Sequence, residues 1–333
     1  MACSGPRALP AVSDCDVLIY MKKVMSLLSL LAVAVSAQVV MKQEAGKIDV
    51  TIDGKPFTAF YLGGEAPKPY LHPLTSAEGD RITRLFPMER VDGEVKDHPH
   101  HRGLWYTHGD VNGVDFWANE KGPSKTRRGI IEVEKISKVK GGKKNGTIEA
   151  SFIWKAPEGE SLLRESRSMV FYSDPKLRTI DFDVTFTALA ESVKFGDTKE
   201  GFFAIRLRDE LMERKGATLV NASGAKGMKL VWGKASPWND DYGTINGKTV
   251  GVAIFDHPTN PKHPTYWHSR DYGLFAANAL GERDFFRDKT RDGSLTIKKG
   301  EKLRFRYRVV IHPGTTEEAG IAKLYDEYTK KVK

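Results

Sequence analysis

Apolar and polar residues alternate over long stretches of this chain, with the period of two that marks strands buried on one face. The alternation is clearest in Lys47–Ile52 and in Thr179–Thr187. Because most such stretches are short and many, the pattern predicts a protein built mainly of β-strands. The predicted strands are Lys47–Ile52, Phe57–Leu62, Gly129–Val139, Thr147–Trp154, Ser166–Tyr172, Thr179–Thr187, Phe202–Leu207, Lys229–Trp232, Val250–Asp256, Gly273–Ala277, Ser294–Ile297 and Leu303–His312.

Turn signals separate these strands. The dipeptides Asp53-Gly54, Asn145-Gly146 and Asn246-Gly247 suit tight hairpin turns, which need positive φ angles. One segment has helical spacing, Thr316–Lys331, with a hydroxyl and two acids at its start. Many short strands and one terminal helix predict an all-β fold, an antiparallel β-sandwich with a C-terminal helix.

The N-terminal region has the pattern of an export signal. Lys22 and Lys23 precede the apolar run Val24–Val35, and Val35-Ser36-Ala37 places small residues before a cleavage point. We therefore predict a misassigned extension at 1–20, a signal peptide at 21–37, and a single domain at 38–333. The protein is expected in the periplasm or outside the cell.

Cysteine and charge narrow the class of protein. Cys3 and Cys15 both precede Met21, so the exported chain has neither disulfides nor thiolate metal ligands. The formal net charge is +9, but the basic residues are scattered among turns and the C-terminal tail. This distribution predicts no nucleic-acid partner.

No apolar run after residue 37 reaches membrane-spanning length, so no membrane partner is expected after signal cleavage. The oligomeric state is left open.

Residues 97–117 carry the densest chemistry in the chain. Four of its nine histidines lie between His98 and His108, together with arginine, carboxylates and two tryptophans. Such groups are costly to bury without partners, which indicates a binding or catalytic site. The candidates in this stretch are His98, His100, His101, Arg102, Trp105, His108, Asn112 and Asp115.

Three further segments combine an aromatic residue with carboxylates, amides or histidines. A sugar needs such a combination, because its C–H face packs on an aromatic ring and its hydroxyls need planar hydrogen-bonding groups. The candidates in these segments are Asp197, Lys199, Glu200, Arg206, Trp238, Asp241, His257, Asn260, Trp267, His268 and Arg270. For any single residue a structural role is the simpler interpretation, but four similar clusters at strand ends favour a common cleft.

A strand that starts near His100 would place His100, Arg102 and His108 on one face. We predict that these three residues line one concave surface together with His257 and His268. His100 and His108 would lie too far apart to share a metal, at about 3.3 Å per residue. No dense ligand motif is present, so the sequence requires no cofactor, although it leaves a divalent metal open.

The chain resembles the bacterial PmoA-like family, a domain of unknown function. The resemblance covers nearly all of 38–333 and rests on the motifs at 97–105, 112–117, 195–200 and 256–261. It implies the supersandwich fold of galactose mutarotases and of other carbohydrate-active proteins. The family name also suggests a methane oxygenase, but oxygenase subunits of that name span the membrane several times, and no such segment exists in this sequence.

Three functions follow from these observations. The first is an exported enzyme acting on a sugar or a uronic-acid-containing glycan, an epimerase, lyase or hydrolase. In it His100, His268 and His108 would transfer protons, while Arg102 or Arg270 would bind a carboxylate or a developing oxyanion. The second is a non-catalytic carbohydrate-binding module. The third is a histidine-ligated copper oxidase.

Overall fold

In this computed structural model, the structure describes residues 1–3, 5 and 38–330. The chain divides into two units, Met1–Ser36 and Ala37–Lys333, and the second unit holds the β-sheets and helices of the described range. The predicted extension and signal peptide lie outside the described residues, apart from four residues at the start. No helix in the described ranges is long and apolar enough to cross a membrane.

Two eight-stranded sheets form the body of this unit, and all their strand pairs are antiparallel. The first sheet runs, in spatial order, through β1 (Val39–Glu44), β2 (Lys47–Ile52), β3 (Lys55–Tyr61), β4 (Tyr70–His72), β5 (Leu104–His108), β11 (Gly201–Arg206), β16 (Leu274–Asn278) and β15 (Tyr266–Arg270). The second runs through β12 (Thr218–Asn221), β13 (Trp238–Ile245), β14 (Lys248–Asp256), β18 (Lys302–Pro313), β9 (Arg178–Ala188), β8 (Ser161–Tyr172), β7 (Asn145–Lys155) and β6 (Ile130–Lys140).

The remaining elements are short. β10 (Ser192–Phe195) and β17 (Leu295–Lys298) form a two-stranded ribbon. The α-helices are α1 (Met228–Val231), α2 (Glu282–Phe286) and α3 (Ile321–Lys330), and two 3₁₀ turns cover Asp209–Leu211 and Glu213–Lys215.

The core lies between the inner faces of the two sheets, where large aromatic side chains meet. Phe203 of β11 stacks on Tyr307 of β18 with ring centroids 4.8 Å apart. Phe60 of β3 meets Phe152 of β7 edge-on. In β9 the alternation follows the sequence pattern, since Ile180, Phe182, Val184 and Phe186 are buried while the residues between them point outward. The predicted antiparallel sandwich is therefore confirmed.

The C-terminal helix is confirmed but begins later than predicted. Thr315 and Glu318 bond to each other's backbone amides across the first turn, so that the turn precedes the helix proper at Ile321. The helix covers the outer face of the second sheet, where Ile321 and Tyr328 pack on Phe255.

Two local predictions are wrong. The segment predicted as a strand at Lys229–Trp232 contributes to the short helix α1, because a run of four residues carries no reliable period. Asn145-Gly146 lies within β7 rather than in a turn, and the turn precedes it. The dipeptides Asp53-Gly54 and Asn246-Gly247 do turn the chain with positive φ at both residues.

Candidate functional site

The outer face of the first sheet carries a register-matched row of side chains across six strands. The strand pairings align Tyr61, Tyr70, Trp105, Ala204, Ala276 and His268 in that order. Three aromatic rings thus lie at one end, two alanines in the middle and an imidazole at the other end. Neighbouring strands are about 4.8 Å apart, so Trp105 and His268 are separated by about 14 Å across the alanines.

Four rings form a continuous stack above this row. His101 stacks on Trp105 at 5.2 Å, His98 stacks on His101 at 4.8 Å, and Tyr272 stacks on His98 at 5.1 Å. His100 meets both His98 and His101 edge-on. The stack runs from the buried Trp105 through two histidines to the half-buried Tyr272, and it joins the loop before β5 to the turn between β15 and β16. We call this surface, with Tyr61, Tyr70, Trp105, Trp117, Tyr272 and His98, His100 and His101, the aromatic face.

The loop that carries the histidines is fixed from below. Gly103 has a φ of +52°, and a Cβ there would lie 2.1 Å from the carbonyl oxygen of Leu71, so only glycine lets the loop lie this close to β4. Two buried arginines, Arg84 and Arg206, each bond Asp97 Oδ1 at 2.6 Å. Burial opposes ionisation, but these cations hold the pKa of Asp97 below its ordinary value. The carboxylate therefore stays ionised and anchors the loop.

The stacked His101 is also fixed by a specific bond. Arg206 Nη1 lies 3.1 Å from His101 Nδ1, and a guanidinium can only donate, so Nδ1 is the acceptor. Burial and the neighbouring charges lower the pKa of His101 well below its ordinary value. The ring is thus neutral and carries its hydrogen on Nε2.

Three cations lie at the aromatic face besides Arg206. Arg102 makes a bidentate pair with Glu120, at 2.6 and 2.9 Å, and lies over the Tyr70 ring. Lys68 is fully buried and donates to the carbonyl of Trp117 at 2.6 Å, and burial lowers its pKa to about 7. Arg270 has no carboxylate partner among the described residues and lies 5.7 Å from the Tyr272 ring centroid. The face therefore carries an excess of positive charge.

The far end of the row pairs a histidine with a carboxylate. His268 is 2% exposed, and its Nδ1 lies 4.0 Å from Glu200 Oε2, beyond hydrogen-bond reach. Lys199 in turn lies 3.0 Å from the other carboxylate oxygen. Burial, with Lys199 and Arg270, lowers the pKa of His268 to about 3, and burial with Lys68 does the same for His100. Both imidazoles are neutral at pH 7.

The structure brings many of the predicted residues to the aromatic face or its rim. They are His98, His100, His101, Arg102, Trp105, Lys199, Glu200, Arg206, His268 and Arg270. Asp115 supports the face from behind, because its Oδ1 accepts the backbone N–H groups of Trp117 and Ala118.

The prediction that His108 lines this surface is wrong. The strand begins at Leu104, and the positive φ of Gly103 breaks the alternation that would have placed His108 on one face with His100 and Arg102. His108 lies instead on the inner face with Tyr106. Its ring stacks on Phe202 at 4.4 Å, and Nε2 lies 2.8 Å from the carbonyl of Gly196. Burial lowers its pKa to about 4. It is a neutral core histidine.

The prediction for His257 is also wrong, since this residue lies on the outer face of the second sheet, beside Tyr328 of α3. The two faces point away from each other across the sandwich. On that same side Asn260 bonds to Asp256 and to the backbone of β18, and Trp238 packs under α3. Asp241 of β13 is buried on the opposite, core-facing side of the same sheet, where it aligns with Val252 and Leu219.

Three other candidates have structural surroundings. Trp267 faces the sandwich core and donates to the carbonyl of Ser236. Asn112 ties its turn to Ser192 and Lys194. Asp197 accepts the backbone N–H groups of Arg283 and Gly293 and so holds the start of α2.

Sequence reasoning missed several residues of the face. They are Tyr61 at the end of β3, Lys68 and Tyr70 in the segment after it, Glu120 three residues after Trp117, and Tyr272 in the turn between β15 and β16. The sequence Pro67-Lys68-Pro69 offered the one available signal, because a lysine between prolines in an apolar stretch is a poor surface pattern. In residues 38–330 no group of three or more His, Cys, Asp or Glu side chains is placed to hold a metal ion.

Fold and site together define an antiparallel β-sandwich protein with an aromatic, cation-rich face on one sheet. The chain belongs to a family of unknown function, DUF6807, which matches residues 47–326. No curated protein matches the sequence.

Several solved structures of carbohydrate-active proteins are similar to the chain. A mutant heparan sulfate lyase HepC from Pedobacter heparinus is 10% identical with a TM-score of 0.38, over 83% of this chain and 37% of that one. A galactose mutarotase related enzyme from Lactobacillus acidophilus is 9% identical with a TM-score of 0.32, over 84% and 98%. A GH36 α-galactosidase AgaA from Geobacillus stearothermophilus is 9% identical with a TM-score of 0.37, over 83% and 40%. The chain thus spans well under half of the lyase and the galactosidase, and its function has to follow from its own side chains.

Proposed function

We propose that this protein is a carbohydrate-active enzyme that binds an acidic saccharide on the aromatic face. The observation that carries the proposal is the position of Arg270, a cation without a carboxylate partner among the described residues, beside a four-ring stack. A uronic acid presents a carboxylate for the guanidinium and a C–H face for the rings.

His100 is the proton-transfer group in this proposal. It is half-buried and lies between the stack and the cations, so a ligand on the stack meets its ring. Lys68 and burial hold the imidazole neutral in the free protein. A bound carboxylate offsets this positive field, raises the pKa of His100, and makes it a better base.

The test compares uronate-containing oligosaccharides with the same oligosaccharides after reduction of their carboxyl groups. We expect the full chain to bind and convert the acidic form only, with products followed by mass spectrometry. Arg270→Gln should weaken binding at least tenfold, whereas Arg127→Gln, which removes an exposed arginine paired with Glu158, should leave it unchanged. Equal binding of the reduced form would refute the proposal.

A second candidate, a non-catalytic carbohydrate-binding module, is favoured by one observation. His100 and His268 both have pKa values lowered to about 3, which suits hydrogen bonding to sugar hydroxyls better than proton transfer. Binding of the acidic oligosaccharide without any product after long incubation would support the module.

Export belongs to the same proposal. Its support is the sequence pattern of two lysines, an apolar run and small residues ending at Ala37. Mass spectrometry of the protein from its native cell should find a terminus at Gln38, and an intact terminus at Met1 would contradict it.

A further inference from the structure

A second cleft lies on the outer face of the second sheet, on the side of the sandwich away from the aromatic face. Its volume is about 320 Å³, within the range of small-ligand sites. It lies where β8, β9 and β18 run side by side next to α3. The residues that line it are Ser168, Val170, Tyr172, Asp181, Phe182, Asp183, His257, Arg306, Arg308 and Tyr328.

The cleft is lined by two arginines and two carboxylates, and a third arginine, Arg304, lies beside it and takes up one of those carboxylates. Arg304, Arg306 and Arg308 project in turn from the outer face of β18, and only Asp181 and Asp183 face them from β9. Arg308 makes a bidentate pair with Asp181, and Arg304 makes one with Asp183. Arg306 is left without a carboxylate among the described residues.

The bonds that Arg306 does make are few. One terminal nitrogen donates to the hydroxyl of Thr259, while its Nε is buried and has no partner within residues 38–330. The guanidinium of Arg306 thus lines the cleft with a buried donor that lacks an acceptor. Each buried donor left unpaired costs free energy of folding, so an acceptor at this position would be stabilising.

His257 supplies a second unpaired donor. Its Nδ1 accepts the backbone N–H of Thr259 at 3.1 Å, so a neutral ring carries its hydrogen on Nε2. Burial and the adjacent Arg306 lower the pKa of His257 to about 4, so the ring is neutral at pH 7. The residue is 1% exposed, and Nε2 has no partner among the described atoms.

We propose that this cleft is a second saccharide site, in which Arg306 and the Nε2–H of His257 hold the carboxylate or sulfate of an acidic sugar. Both groups are donors without a protein acceptor among residues 38–330, and the oxygens of a bound anion would accept from them. Tyr172 and Tyr328, which flank Arg308 at 5.4 and 4.5 Å, give the sugar ring apolar surface beside the anion. The proposal is independent of what the aromatic face binds.

The experiment uses the full chain with its histidine rings labelled with ¹⁵N. The probes are methyl glucuronide, glucose 6-sulfate, neutral methyl glucoside and inorganic sulfate. We expect the His257 ring resonances to shift with one or both anionic sugars, and neither with the neutral sugar nor with inorganic sulfate at the same concentration. The two anionic sugars distinguish a carboxylate from a sulfate ligand.

Substitutions of single arginines test whether the shift of the His257 resonances comes from binding in this cleft. Arg306→Gln should weaken the binding seen at His257 at least tenfold. Arg164→Gln removes another arginine from the outer face of the same sheet, one paired with Glu134, and should change it less than twofold. Arg270→Gln on the aromatic face should leave it unchanged, which separates this site from the proposed function.

Three results would overturn the proposal. They are an unmoved His257 with both anionic sugars, an equal response to inorganic sulfate or methyl glucoside, or an equal loss in Arg306→Gln and Arg164→Gln. Thermal unfolding of each variant checks that it folds. If Arg306→Gln does not fold, His257→Gln combined with Arg270→Gln takes its place. Its binding is followed by isothermal titration, because the reporter ring is gone, and binding equal to that of Arg270→Gln alone would refute the site.

Discussion

The ring of Tyr272 stacks on the ring of His98 with centroids 5.1 Å apart and planes within 11°. This contact joins two segments 174 positions apart, the loop before β5 and the turn between β15 and β16. His98 has a positive φ of 42°, a conformation that is uncommon for a residue other than glycine. The stack and the bond network of Asp97 hold His98 in this conformation.

We expect Tyr272→Ala to release His98 and to weaken binding of the acidic oligosaccharide about tenfold or more. Tyr272→Phe should retain affinity, because it keeps the ring and removes only the hydroxyl. Isothermal titration of both variants measures this. An equal loss in the two variants would mean that the hydroxyl, and not stacking, matters.

His100→Ala should reduce turnover about a hundredfold or more, the usual scale for a lost acid or base. His268→Ala should have a smaller effect, because His268 lies 2% exposed beneath Glu200 and contacts the ligand less directly. Rates per folded molecule and melting temperatures on the same preparations separate chemistry from stability. Unchanged specific activity in His100→Ala would remove it from the mechanism.

Lys68 should make the folded protein more stable as the pH rises from 7 to 10. Burial lowers its pKa from 10.5 to about 7, so the native state binds fewer protons than the unfolded state in this window. Above pH 10.5, the pKa of this lysine in the unfolded state, its burial no longer lowers the free energy of unfolding. As the pH falls from there towards 7, the free energy of unfolding decreases. Lys68→Met lacks this dependence.

The free energy of unfolding of the wild type, relative to Lys68→Met, should therefore rise by about 4 kcal/mol between pH 7 and pH 10, at about 1.4 kcal/mol per unit. Urea titrations at four pH values measure it. A constant difference would show that Lys68 keeps an ordinary pKa in the folded protein.

His108 should make the protein sensitive to acid without taking part in its function. Its pKa is lowered from 6.5 to about 4 by burial, so its contribution to stability is complete above pH 6.5 and declines as the pH falls to 4. The loss is about 3 kcal/mol at about 1.4 kcal/mol per unit.

His108→Phe keeps a ring beside Phe202 and removes the titrating group, at the cost of the bond to Gly196. We expect its unfolding free energy to fall less steeply than that of the wild type between pH 6.5 and 4. Affinity per folded molecule should stay the same. A loss of binding in this variant would return His108 to the site.

The positions of the large strands along the chain followed from the sequence, because alternation is a local property of the chain. The predicted bounds of β9 and β18 lie within one residue of the observed ones at each end. The strands β1, β13 and β15 were missed, since their exposed or uniformly buried residues do not alternate. β4, β10 and β12 were missed as well, because three or four residues are too few to show a period.

For the site, the sequence by itself determined which loop is rich in histidine and that Arg102, Trp105, His268 and Arg270 belong to polar, aromatic segments. The tertiary structure alone decided which of these share a face. Strand register brings His268 into the row of Trp105 and sends His108 to the core, because a shift of one residue exchanges the two faces of a strand. Sheet order places His257 on the far side of the sandwich and Tyr272 on the histidines, since contacts between segments remote in sequence depend on packing and leave no local pattern.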